Sequence, residues 1–154
     1  MADLLIVLAC IAPLGVYLIC TRGKGEEKGR FGSIGLGLAF CYFALAHFVV
    51  TNELVEMLPS FIPERKLVIY ATGVAEAVVA FGLLTRRWRD AASIAAAVLL
   101  VTFLPANIYA ATNYIGVGDH KLGPDYLWIR IPLQLFLLVW ALWPVFWPER
   151  VRTR

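Results

Sequence analysis

The chain has 154 residues, of which 60% are apolar and 16% charged, with a net charge of +3 and a mean hydropathy of +0.74. Soluble domains carry about 45–50% apolar residues, glycine included, and about 25% charged ones, while disordered chains combine low hydrophobicity with high net charge. Both classes are excluded, and the composition is that of a membrane protein. The basic residues sit in short loops without interleaved aromatics, so they suit lipid headgroups and no nucleic-acid partner is expected.

A helix needs about 20 mostly apolar residues to cross a hydrocarbon core of about 30 Å. Five segments meet that length: 4–21, 32–51, 67–85, 91–112 and 125–143. The first has Asp3 ahead of it and its basic cluster behind it, the reverse of a secretory signal, so it is predicted to stay as an anchor. The second opens on Gly32, Ser33, Gly35 and Gly37, small residues that let helices approach closely in lipid, and carries His47 near its end.

Residues 52–66 mix acids with Leu54, Val55, Met57, Leu58, Phe61 and Ile62 around Pro59 and Pro63. The stretch is too short and too charged to span, and is predicted to form a short interfacial helix and a proline turn over the bundle mouth. The third span has Glu76 near its middle and a Gly73/Ala77 pair. The fourth offers Ala91/Ala95, Ala92/Ala96 and Ser93/Ala97 faces, then Pro105 and Asn107. In the following loop Asp119 and His120 are two ligands short of the usual four, so no metal site is expected. The fifth span carries Arg130 and Gln134, four residues apart and therefore on one face. The whole chain, 1–154, is expected to be a single all-α integral membrane domain.

Basic loops stay in the cytoplasm. Five spans put Arg22, Lys24, Lys28, Arg30, Arg86, Arg87, Arg89, Arg150, Arg152 and Arg154 on one side and only Arg65, Lys66 and Lys121 on the other. The expected placement is a plasma or inner membrane, with the N-terminus outside and the C-terminus cytoplasmic.

A charge at the bilayer centre costs about 2.5–3.5 kcal/mol on insertion scales, so ionisable groups inside spans are candidate functional residues. His47, Glu76, Asn107, Arg130 and Gln134 all fall in the outer half of their spans and are the ligand-binding candidates. Glu76 and Arg130 could instead form a buried ion pair that fixes helix register. His47 could be a satisfied core histidine, and Asn107 could serve carbonyls freed by Pro105. There is no GxSxG, Walker loop, HExxH, flavin fingerprint or paired-cysteine motif, so no catalytic residue is assigned and no cofactor is evident.

From Phe40 to Trp143 the chain resembles the DoxX-like family of small multi-pass membrane proteins. The resemblance rests on Ala46-His47-Phe48, Leu58-Pro59, Ile62-Pro63, Gly73 with Glu76 before Gly82-Leu83-Leu84, Phe103 to Tyr109 around Pro105-Ala106-Asn107, and Trp128-Ile129-Arg130 with Pro132, Gln134 and Trp140. Thr51 and Ala44 depart from the proline and glycine common there. It implies a four-helix core made by the second to fifth spans, with the first span an addition. It also implies either a subunit of a quinone-linked oxidoreductase, similar to the membrane subunit of thiosulfate:quinone oxidoreductase, or an assembly protein. Two readings follow: a non-catalytic binding or assembly subunit holding a hydrophobic small molecule or partner helix, and a quinone-linked redox subunit that takes electrons from a partner protein.

Overall fold

Backbone polar groups in an apolar run must find partners within the run, which favours helices. The computed structural model describes residues 2–21, 28–115 and 118–146. Among these it is all-helical: α1 (Ala2–Thr21), α2 (Lys28–Val49), α3 (Thr51–Glu56), α4 (Arg65–Leu84), α5 (Arg89–Thr112) and α6 (Leu127–Phe146), with a 3-10 segment, Gly118–Tyr126, leading into α6. Four stretches are helical, long and apolar enough to cross a membrane: Arg30–Val49, Arg65–Leu84, Arg89–Thr112 and Leu122–Trp143. In α1 the described apolar stretch is Ile6–Gly15, shorter than a span. Helix α2 starts four residues ahead of the expected 32 and α6 runs three past 143, because hydrogen bonding continues through the charged or aromatic turn at which an apolar run stops.

Helices α2, α4, α5 and α6 close a ring in that order, α6 returning to α2, and α1 packs on α2. Glycine sets the tightest approaches. A Cβ on Gly35 would collide with the Cys10 carbonyl, one on Gly37 would lie 3.0 Å from Leu84, and one on Gly82 would lie 2.7 Å from Ala92 Cβ. In α4 the buried stripe is Ile69, Gly73, Glu76, Ala80 and Leu83, a 4-3-4-3 spacing that keeps to one face of a 3.6-residue helix. The Gly73/Ala77 pair therefore does not pack as a unit: Ala77 is exposed and Ala80 takes the inward place. In α5 the inward small pair is Ala92/Ala96, while Ala91 faces out. Phe40, Leu36, Leu83 and Leu137 are the largest fully buried side chains.

Candidate functional site

Helices α2 and α4 run antiparallel, since His47 lies against Gly73 while Gly37 lies against Leu84. Helical side chains tilt towards their own N-terminus, so on antiparallel neighbours they lean towards each other. His47 and Glu76, whose backbones stand at different depths, meet for this reason: His47 Nδ1 lies 2.8 Å from Glu76 Oε2. Gly73, one turn before Glu76, makes the approach possible, because a Cβ there would sit 2.7 Å from His47 Cβ.

The imidazole also faces the Phe43 carbonyl, with Nδ1 3.0 Å from that oxygen. A carbonyl only accepts, so Nδ1 carries the proton and donates to Phe43. Glu76 Oε2 thus has the imidazole edge close by but no aligned hydrogen bond, and it is a buried oxygen without a hydrogen-bond partner. Glu76 is 2% exposed. Such a group costs about 1–3 kcal/mol to leave unsatisfied.

Across the ring, Arg130 Nη2 donates to Asn107 Oδ1 at 3.4 Å, and Gln134 Nε2 donates to the Leu100 carbonyl. Both bonds tie α6 to α5 just where Pro105, lacking an N–H, leaves the Val101 carbonyl of α5 without its helical donor. Asn107 accepts from Arg130, a role beyond any service to those carbonyls. The close contact of Glu76 is with the His47 imidazole rather than with the arginine.

All five sequence candidates line one cavity of about 460 Å³, within the size range of small-molecule sites. The rest of its wall is mainly apolar: Phe40 and Phe43 from α2, Ile69 from α4, Phe103 from α5 and Leu137 from α6 among them. Thr72 also lines it, with its hydroxyl donated back to the Val68 and Ile69 carbonyls at 3.0 and 2.9 Å. Helix α3 and the segment after it supply one side through Leu54, Met57, Leu58, Pro59, Phe61 and Ile62. Arg65 braces that segment by donating to the Leu58 carbonyl at 3.3 Å, and Thr51 caps α2 by donating to the His47 carbonyl at 2.7 Å.

Three features are not in the sequence reading: the Leu100 carbonyl as partner of Gln134, the ring contact of Phe103 with His47 at 6.1 Å between centroids, and the Arg65 brace. The side chains of Asp119 and His120 lie outside the described residues. Among the described residues no group of three His, Cys, Asp or Glu side chains could hold a metal ion.

Residues 36–145, from early α2 to the end of α6, match a family described as a domain of unknown function (DUF8561). No curated protein matches the chain, and no solved structure does.

Proposed function

The chain belongs to the DUF8561 family, a domain of unknown function, and we propose that it is a DoxX-like integral membrane protein that holds a hydrophobic small molecule without transforming it. The observation that carries this reading is convergence. Polar side chains from four separate helices reach one cavity whose remaining wall is largely apolar, the combination that fixes the orientation of an amphipathic guest. In this reading α1 is a fifth span, the bilayer is the plasma or inner membrane, and the N-terminus lies outside. Ten basic residues against three in the loops support that orientation. The cavity then belongs to the outer half of the bundle, with α3 and the proline turn lying over its mouth.

Native mass spectrometry of the protein in lipid nanodiscs tests the reading. The wild type is expected to retain an added small-molecule mass that Ala106→Trp, which fills the cavity from α5, loses. If neither protein retains a mass, the site is not a binding site. A retained partner protein without a small molecule would make the chain an assembly subunit instead.

The close acid and imidazole favour one second reading, a membrane subunit of a quinone-linked oxidoreductase. His47 and Glu76, 2.8 Å apart in the cavity wall, could exchange protons with a quinone head while a partner subunit supplies the electrons. Quinone reduction in membranes should then fall when this chain is deleted and stay low with Glu76→Gln. Unchanged reduction after deletion would remove this reading.

A further inference from the structure

We infer, resting on the binding reading above, that the guest is an amphiphile with an uncharged, hydroxyl-bearing head, taken up from the bilayer with the hydroxyl donating to Glu76. Three observations lead there. The first is the unmet acceptor. Glu76 Oε2 is buried without a hydrogen-bond partner in the wall of the cavity, and the nearest N–H, on His47 Nδ1, is directed to the Phe43 carbonyl. A guest that brings a donor satisfies this oxygen, and a guest without one leaves it as costly as before.

The second is charge balance. Glu76 and Arg130 share the cavity wall, one acid and one base among its lining residues. The wall thus offers neither sign of charge in excess through these two side chains. An anionic head would face the Glu76 carboxylate, and a cationic head would face Arg130. Either one leaves a charge uncompensated in an apolar surround, where isolated charge is expensive. A hydroxyl adds no charge and can both donate and accept.

The third is the route. Thr102 and Pro105 line the cavity and are also exposed on the outside of α5, within the stretch Arg89–Thr112 that is long and apolar enough to span. Phe61, 83% exposed, lines the cavity from the connector, so the wall reaches the surface there as well. An opening at that position faces acyl chains, so the guest enters sideways, tail and head together.

The experiment varies the head on one tail. Dodecanol, dodecanoate and dodecylammonium are added at equal mole fraction to nanodiscs carrying the full chain, and occupancy is read by native mass spectrometry for the wild type, Glu76→Gln and Ala106→Trp. The wild type is expected to bind dodecanol at least tenfold more tightly than either ion, Ala106→Trp to bind none, and Glu76→Gln to lose most of the preference for the alcohol. Tighter binding of dodecanoate or dodecylammonium overturns the neutral-head inference while leaving the binding reading intact. Binding of all three equally, unaffected by Ala106→Trp, places the probes outside the cavity and overturns the inference as well. Binding of none overturns the binding reading itself.

Discussion

The same four helices are packed in two different ways along their length. In the half away from α3, glycine and alanine bring backbones together: Gly37 against Leu84, Gly82 against Ala92, with Ala39, Ala96 and Ala141 fully buried. In the half beneath α3, where α2 and α4 still approach closely at Gly73, Phe40, Phe43 and Phe103 line a cavity of about 460 Å³ together with His47, Glu76, Asn107, Arg130 and Gln134. In lipid, helices gain nothing from burying apolar surface against each other and associate through close packing and hydrogen bonds. The tight half can therefore supply the association that lets the open half remain open.

The sharpest way to break that comparison is to make one kind of change in both halves. Gly82→Leu puts bulk where a single Cβ already falls 2.7 Å from Ala92. It is expected to destabilise the bundle by about 3 kcal/mol despite the better helix propensity of leucine. Ala46→Leu, on the cavity wall, has space to fill and should cost less than about 1 kcal/mol. Unfolding in mixed micelles measures both. Equal losses would mean that the two halves are packed alike.

A smaller effect tests how the polar cluster is wired. His47→Gln and Glu76→Gln are expected to couple by about 1.5 kcal/mol in a double-mutant cycle, because their side chains are in contact. The Glu76→Gln and Arg130→Gln pair, which share the cavity wall while the close contact of Glu76 is with His47, should couple by less than about 0.5 kcal/mol. The reverse order would restore the Glu76–Arg130 ion pair that the sequence offers as one alternative.

That suggestion shows where sequence stops being legible. The long apolar helices follow from run length, and the shared cavity of His47, Glu76, Asn107, Arg130 and Gln134 agrees with counting residues down from the loops. Counting places backbone depth only, so it sets Glu76 level with Gln134 and above neither His47 nor Arg130 in preference. The lean of side chains on antiparallel helices, together with the missing Cβ at Gly73, decides for His47. The inward face of α4 is a similar case. A Gly73/Ala77 pair looks equivalent to Gly73/Ala80 until neighbouring helices fix the rotation, and they leave Ala77 outside. Main-chain partners such as the Leu100 carbonyl leave no trace in residue identity at all.

Trp140→Phe is expected to cost about 1 kcal/mol. The change keeps an aromatic ring against Phe136, at 5.3 Å between centroids, and removes the indole N–H that donates to the Gly32 carbonyl at 3.0 Å. That bond fastens α6 to α2 at the tight end, and one neutral hydrogen bond contributes about 0.5–1.5 kcal/mol net. A loss above about 2 kcal/mol would show that this end depends on the single bond more than on its small residues.

The smallest stability effect belongs to Phe61→Ser, and it separates holding the bundle together from holding a guest. Phe61 is 83% exposed and sits between Pro59 and Pro63 in a connector braced by Arg65. Its ring buries little within the chain, so stability should change by less than about 0.5 kcal/mol. It nonetheless lines the cavity opening. Removing an apolar barrier there should shorten the residence time of bound dodecanol severalfold, as read by exchange against the deuterated alcohol in nanodiscs. Unchanged exchange with unchanged stability would move the opening away from the connector and leave Thr102 and Pro105 on α5 as its border.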